Sequence, residues 1–138
     1  MSRTLEFRVW DIPNQCWSDL FHVITEDGAL WHFPNIGLDE RDDPEQYTVE
    51  QYTGLTDKNG KGIYEGDIVK ANYFESHYAA LDVGKTKQIT GRIQFGNGCF
   101  YASSMSDETP LFQSGGSNNI EVVGNVHENP ELLGGEDA

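Results

Sequence analysis

The chain has few of the residues and segments that would commit it to a specialised class of protein. Only two of its 138 residues are cysteines, and Cys16 and Cys99 lie far apart, so neither a disulfide framework nor a Cys-x-x-Cys motif is present. No apolar run approaches the ~18 residues that a membrane span requires. The first ten residues enter a strand pattern without the apolar core of a secretory signal. These absences predict partly buried reduced thiols, no membrane association and a cytoplasmic protein.

Positive charge is also scarce. Nine Lys and Arg residues against 23 Asp and Glu residues give a net charge of −14. Because phosphate backbones bind basic surfaces and repel acidic ones, direct nucleic-acid binding is disfavoured. Six of the nine basic residues lie between positions 57 and 92, which leaves room for a local basic-aromatic patch. Its candidate residues are Lys58, Lys61, Lys70, Tyr73 and Arg92, although the same lysines also fit an ordinary solvated sheet face.

Negative charge is concentrated in the segment 34–46, for which we predict an exposed loop. Its candidate acidic interaction surface consists of Asp39, Glu40, Asp42, Asp43 and Glu45. Carboxylates spread over a compact β protein can imitate the charge spacing of DNA and occupy a basic groove. The alternative is that a low pI only keeps a small protein soluble.

Catalytic motifs are missing. The sequence contains no His-Glu-x-x-His, no phosphate-binding glycine loop and no signature of an activated serine. His22 and His32 lie on opposite arms of a predicted hairpin, where they can approach each other, but the sequence offers no evident third ligand. We therefore predict no catalytic residues, no cofactor and no metal, and expect a function based on binding. The alternative is an unrecognised enzyme, which would require a deep pocket that collects Glu65, Asp67 or a histidine.

What is present is a succession of short strand patterns and turn signals. Residues 47–52 alternate with a period of two, Gly54 is expected to end that strand, and residues 57–60 form a turn. Residues 65–67 make another turn before a longer strand. Further strands are expected over 5–10, 16–25 and 29–33, and around a hairpin at Asn97 and Gly98, with a bulge or bend at Gly91.

The end of the chain differs from this pattern. Asn129 as an N-cap, Pro130 at the first helical position and Glu131 in the first turn predict a short C-terminal helix. The predicted fold is mainly β: a small antiparallel barrel or rolled sheet with that helix, in which aromatic side chains fill the core. We expect a single domain over 1–138 with a frayed tail at 134–138.

Three blocks of sequence resemble the YopX family of phage and prophage proteins. They are YTGLTDKNGKGIYEGDIV at 52–69, FRVWD at 7–11 and VGNVHENPELL at 123–133. The blocks occur in the same order and span almost the whole chain, whereas residues 75–118 match no block. The resemblance implies a small, mostly β, phage-encoded domain with no established activity, and so it supplies no functional residues.

These observations together predict a phage or prophage accessory protein that acts by binding in the cytoplasm of a bacterial host. A protein partner is expected, and strand edges could also pair in a homo-oligomer. One alternative is an acidic DNA mimic that inhibits a host nucleic-acid-binding or defence protein. A second is a nucleic-acid-associated small β-barrel that uses the basic middle segment.

Overall fold

The structure, a computed structural model, describes residues 4–35, 38–74, 86–104, 108–110 and 119–133. These residues form mainly antiparallel strands with one short 3₁₀ helix, which confirms the predicted mainly β class. The strands are β1 (Phe7–Asp11), β2 (Cys16–Trp17), β3 (His22–Ile24), β4 (Leu30–Asn35), β5 (Leu38–Arg41), β6 (Tyr47–Thr56), β7 (Gly62–Tyr64), β8 (Asp67–Phe74), β9 (Thr86–Gly96), β10 (Cys99–Ser103), β11 (Glu108–Pro110) and β12 (Ile120–Asn125). No helix in these ranges is long and apolar enough to cross a membrane. The predicted frayed tail lies outside the described residues.

Backbone contacts divide the chain into two compact units. The N-terminal unit comprises residues 6–51, and the C-terminal unit comprises residues 1–5 and 52–138. Strand β6 crosses the boundary, so its first half belongs to one unit and its second half to the other. The organisation of the chain as a single domain stays a prediction.

The N-terminal unit contains two small antiparallel sheets. In the first, β1 lies between β2 and β6; in the second, β4 lies between β3 and β5. The predicted uninterrupted loop over 34–46 is wrong, because β5 pairs with β4 and places Arg41 opposite Trp31. The N–H of Asp42 extends this pairing by donating to the carbonyl of Leu30 at 2.8 Å. Residues Leu38–Arg41 and Asp42 of the acidic segment therefore pair with β4, which the composition of the segment does not indicate.

The predicted strand over 16–25 is also interrupted. It forms two short strands, β2 and β3, separated by a loop at residues 18–21 in which the side chain of Phe21 is 71% exposed. The predicted hairpin that follows is confirmed: Gly28 has a φ of 86°, and the N–H of Thr25 donates to the carbonyl of Ala29 at 3.0 Å.

The C-terminal unit is built on a five-stranded antiparallel sheet with the order β11-β10-β9-β8-β12. It is curled into a half-barrel, which is the rolled-sheet form of the prediction. Its core is aliphatic, and the predicted aromatic filling is confirmed only in part: Phe95 is 57% exposed, whereas Phe100 packs, partly buried, against the aliphatic side chains. The buried cluster consists of Ile63, Val69, Ala71, Ile89, Ile93, Ala102 and Ile120. Small and branched side chains fill the space that a tightly curled sheet leaves between its strands.

Glycine has a specific role at two positions of this unit. The register of β8 with β9 passes through Gly91 without a shift, so the predicted bulge there is wrong. A Cβ at Gly91 would lie 2.7 Å from the carbonyl oxygen of Ser103. The two backbones approach so closely here that the position requires glycine. Gly54 does not end β6; its φ of 89° accompanies a register irregularity between Tyr52 and Thr56, and the strand continues.

The predicted turn after β6 is confirmed and is held by the buried carboxylate of Asp57. Its Oδ1 accepts the N–H groups of Asn59 and Lys61, both at 2.9 Å. Its Oδ2 accepts the N–H of Val122 at 2.9 Å, which joins the turn to β12. The predicted hairpin at Asn97 and Gly98 is also confirmed, and both residues have positive φ.

The predicted C-terminal helix is a 3₁₀ helix at Pro130–Leu133. The carbonyl of Asn129 accepts the N–H of Leu132 at 3.0 Å. Its side chain does not cap the helix as predicted, because Oδ1 accepts the N–H of Asn125 at 3.2 Å. Both cysteines are free thiols, one in each unit: Cys16 is exposed, contrary to the prediction of partial burial, and Cys99 is half-buried.

Candidate functional site

The N-terminal unit contains a group of hydrogen-bonded polar side chains, which we call the histidine–aspartate cluster: Ser18, His22, His32 and Asp42. His22 lies opposite His32 in the register of β3 with β4, and their ring centroids are 6.1 Å apart. The predicted approach of the two histidines is therefore confirmed. The ring of Tyr47 on β6 packs edge-on against His22, with centroids 5.5 Å apart.

Asp42 joins the two histidines. Its Oδ2 lies 2.9 Å from Nδ1 of His22, and its Oδ1 lies 2.5 Å from Nδ1 of His32. The side chain of Asp42 is only 1% exposed, and those of the histidines are 8% and 13% exposed. A buried carboxylate needs donors for both of its oxygens, and two imidazole N–H groups supply them here.

Sequence reasoning placed Asp42 on an exposed acidic surface and missed this role. The usable signal was periodicity. Asp42 pairs with Leu30 through the backbone, and Leu30 is two residues from His32, so a β4–β5 hairpin puts Asp42 and His32 on one face. Recognising it required the strand at Leu38–Arg41, which the density of charged residues obscured.

Ser18 completes the cluster from the loop between β2 and β3. Its Oγ lies 2.7 Å from Nε2 of His22 and accepts the N–H of Leu20 at 3.2 Å. The N–H of Ser18 donates to the carbonyl of Val9 at 2.8 Å, which anchors the loop to β1. The hydroxyl, the imidazole and the carboxylate therefore form one continuous hydrogen-bonded chain.

Next to this cluster lies a cleft of about 300 Å³, entirely within the N-terminal unit. The residues that line it are Asp27, Gly28, Ala29, Leu30, Arg41, Asp42, Asp43, Pro44, Tyr47 and Val49. It therefore lies between the β3–β4–β5 sheet and the face of β6 that carries Tyr47 and Val49. Apolar side chains and a few charged groups lining one concave surface are characteristic of ligand sites.

The charged groups of the cleft differ in their freedom to bind a ligand. Asp42 has both oxygens bonded to histidines. Asp27, Arg41 and Asp43 are exposed. The hydroxyl of Thr25, the N–H of Ala29 and the charge of Arg41 lower the pKa of Asp27, so its carboxylate stays ionised well into the acid range. Arg41 is the one basic residue among the residues that line the cleft, against three carboxylates, so the cleft has a negative charge.

The predicted acidic surface is only partly assembled. Asp43 and Glu45 are exposed, and the N–H of Glu45 donates to Oδ1 of Asp43 at 2.9 Å. Asp42 is excluded from this surface by its burial. Asp39 and Glu40 lie on β5, and their side chains are outside the description.

The residues of the predicted basic-aromatic patch all belong to the C-terminal unit. Lys58 and Lys70 line one small polar cleft of about 60 Å³ in the C-terminal unit, together with Glu121. Nζ of Lys58 lies 3.6 Å from Oε1 of Glu121, which also stands opposite Lys70 in the register. Glu121 therefore offsets part of the positive charge.

The other members of the patch lie on β8, on β9 and beside the turn that contains Lys58. Arg92 is exposed on β9, where it pairs with Ile68, and Lys61 is exposed beside the turn after β6. Tyr73 lies on β8. Within the described ranges, no group of three or more His, Cys, Asp or Glu residues is arranged to hold a metal ion.

Fold and site together define a small antiparallel β protein whose interacting polar side chains concentrate in its N-terminal unit. The chain belongs to the YopX family: the family model described as YopX protein matches residues 6–134. No curated protein sequence matches it. The chain is similar to the crystal structure of protein EF1440 from Enterococcus faecalis, with 27% identity, coverage of 96% of this chain and 99% of that one, and a TM-score of 0.59. Protein yopX from Bacillus subtilis shares the fold at 23% identity, with 97% and 98% coverage and a TM-score of 0.59.

Proposed function

We propose that this YopX-family protein is a phage or prophage accessory protein that acts by binding a protein partner in the bacterial cytoplasm. The observation that carries the proposal is the cleft of the N-terminal unit, which has apolar walls and exposed charged groups at one concavity. Its volume of about 300 Å³ is at the lower limit of ligand sites, so it accommodates one side chain or a short segment of a partner.

The charge of the cleft favours a basic side chain. Asp27 and Asp43 present exposed carboxylates, each with one oxygen bonded within its own turn, whereas both oxygens of Asp42 bond to the histidines. The methylene stem of a lysine or arginine would contact Leu30 and Val49 while its charged end reaches the two carboxylates. A net charge of −14 would also accelerate the approach of a basic partner.

Partner capture by two charge-matched variants tests the proposal. The first carries Asp27→Asn and Asp43→Asn in the cleft. The second carries Asp19→Asn and Glu131→Gln, which removes two exposed carboxylates that do not line it. Tagged proteins are used to capture partners from an induced lysogen, and the affinity of the captured protein for each variant is then measured.

We expect the cleft variant to bind its partner at least tenfold more weakly and the control to bind like the wild type. Equal weakening of both variants would show that only bulk charge matters, and unchanged binding by both would remove the cleft from the interaction. Either result contradicts the proposal.

A further inference from the structure

The histidine–aspartate cluster has a feature that partner binding does not use. A serine hydroxyl, an imidazole and a carboxylate are linked in series by contacts of 2.7 Å (Ser18 Oγ to His22 Nε2) and 2.9 Å (His22 Nδ1 to Asp42 Oδ2). A nucleophile bonded to a base that is itself oriented by a third group is the arrangement that activates serine for covalent catalysis.

The hydrogen-bond partners of His22 indicate which of its ring nitrogens donates and which accepts. The ionised carboxylate of Asp42 can only accept hydrogen bonds, so Nδ1 of His22 carries the proton. In the neutral ring Nε2 is then an acceptor, and the hydroxyl of Ser18 donates to it. This is the tautomer that allows His22 to remove the hydroxyl proton as a general base.

The rest of the cluster restrains that arrangement. His32 bonds to the second oxygen of Asp42 and so fixes the plane of the carboxylate. The edge of Tyr47 packs against the ring of His22. Asp42 and His32 therefore act as positioning residues, because neither bonds to Ser18 in the contacts that hold the cluster together.

Ser18 is also accessible. It is half-buried, and the next three residues of its loop, Asp19, Leu20 and Phe21, are exposed. Leu20 and Phe21 are 40% and 71% exposed and provide apolar surface beside the hydroxyl along the chain. An ester with a small apolar acyl group fits these surroundings better than a charged substrate.

We propose that Ser18 is an activated nucleophile that hydrolyses simple esters. Oγ of Ser18 bonds to the ester carbonyl carbon while its proton passes to Nε2 of His22. The carbon–oxygen bond to the alcohol then breaks, and His22 returns the proton to the departing alcohol. Water attacks the acyl-serine, gives one proton to His22 and releases the carboxylic acid, and Oγ recovers its proton. The net reaction is ester plus water to acid plus alcohol.

This proposal opposes the sequence-based expectation of no catalytic residues. A network that only stabilises the loop would show the same distances but no enhanced reactivity at Ser18. The proposal is independent of partner binding, since Ser18 and His22 do not line the cleft.

An alkyl fluorophosphonate distinguishes the two interpretations. It forms a phosphorus–oxygen bond with an activated serine and releases fluoride and a proton. The folded wild-type protein is treated with this reagent and digested. The fraction of each serine that carries the label is then quantified by peptide mass. Ser103, half-buried on β10 in the other unit, is the internal reference. Activation by a positioned base typically contributes roughly 10²–10⁴-fold, so Ser18 should react at least a hundredfold faster than Ser103.

Four variants extend the test. His22→Gln should reduce labelling of Ser18 to the rate of Ser103, and Ser18→Ala should abolish hydrolysis of p-nitrophenyl butyrate while Ser103→Ala leaves it unchanged. Asp42→Asn should remove the low-field proton resonance of the His22 Nδ1–H, a signature that loss of packing alone does not predict. Circular dichroism checks that each variant is folded.

Equal labelling of Ser18 and Ser103 in the wild-type protein overturns the proposal, and this comparison decides the matter even if the His22 variant does not fold. Hydrolysis of the ester that persists in Ser18→Ala overturns it as well. Neither result bears on the cleft variants, so failure here is distinguishable from failure of the proposed binding function.

Discussion

The two units bury carboxylates in different ways. In the C-terminal unit, Asp57 accepts three main-chain N–H groups and Asp67 accepts the N–H of Tyr64. In the N-terminal unit, Asp42 bonds to two histidine rings and Glu50 bonds to Nε of Arg8 at 2.9 Å. Main-chain donors hold the shape of turns, whereas side-chain donors are themselves able to exchange protons or partners. The contacts of these four carboxylates thus join side chains to one another in the N-terminal unit and side chains to the main chain in the C-terminal unit.

The two units also differ in how many apolar side chains they bury. Among the described residues, eight of the ten buried hydrophobic side chains belong to the C-terminal unit, and only Trp10 and Leu30 belong to the N-terminal unit. Apolar burial is non-directional and tolerates changes of partner, whereas a polar network depends on angles and distances. Stability of the C-terminal unit should therefore respond to lost volume, and that of the N-terminal unit to lost hydrogen bonds.

The largest expected effect is a cavity in the C-terminal core. Ile93→Ala should lower the free energy of unfolding by about 2–5 kcal/mol, because Ile93 is 1% exposed within the aliphatic cluster. Ile12→Ala, the same change at a side chain 37% exposed in the N-terminal unit, is the control and should cost about 1 kcal/mol. Urea unfolding measures both. Similar costs for the two would contradict a core confined to the aliphatic cluster.

Removal of the carboxylate that joins the histidines should act locally. Asp42→Ala leaves two imidazole donors without their acceptor and should cost about 1–3 kcal/mol. Amide hydrogen exchange should accelerate in β3–β5 and remain slow in β8 and β9. Asp43→Ala, an exposed neighbour, is the control and should change neither region. Equal acceleration in β8 and β9 would show that the units do not respond separately.

Acid should weaken the turn at Asp57. Burial raises the pKa of this carboxyl, but the N–H groups of Val122, Lys61 and Asn59 outweigh it, and the pKa is lowered from 3.8. A lowered pKa in the folded state contributes stability that is complete above the unfolded value and is lost as pH falls through the folded value. Stability should therefore fall below pH ~3.8, and Asp57→Asn should reduce this slope. Urea midpoints across the acid range measure it, and an unchanged slope would exclude Asp57 as a source.

The smallest effect is expected for the surface ion pair of Lys58 and Glu121. Both side chains are nearly half exposed and their charged atoms are 3.6 Å apart, so Lys58→Met should change the free energy of unfolding by under ~1 kcal/mol. Added salt should make this small difference smaller still, because it screens exposed charges. A cost of several kcal/mol would show that this exposed ion pair stabilises the C-terminal unit. It would contradict the expectation that the stability of this unit depends mainly on its apolar core.

The sequence predicted the parts of the fold that depend on local backbone chemistry. Gly60 and the Asn97–Gly98 pair adopt the positive φ values that the turn predictions required, and the alternation at residues 47–52 became β6. Asp57 and Asn129 make hydrogen bonds that the neighbouring sequence did not predict. Asp57 forms its predicted turn but also bonds to Val122, and the Asn129 side chain bonds backward to Asn125.

The candidate site was harder to predict because its members converge from separate segments. His22 and His32 were paired correctly, since a hairpin register is local. Asp42 was misassigned because charge density is a statement about composition, whereas burial depends on pairing of β5 with β4. Ser18 carries no motif of its own, and only the path of its loop brings the hydroxyl to His22.

The distribution of the cysteines has a practical consequence. Cys16 and Cys99 are free thiols in different units, one exposed and one half-buried on β10. Alkylation kinetics at Cys99 would report how often the β9–β10 hairpin opens, while Cys16 provides an attachment point for a fluorophore near the N-terminal sheet without any engineered residue. The protein thus carries its own pair of built-in probes, which can follow each half of the chain separately in solution.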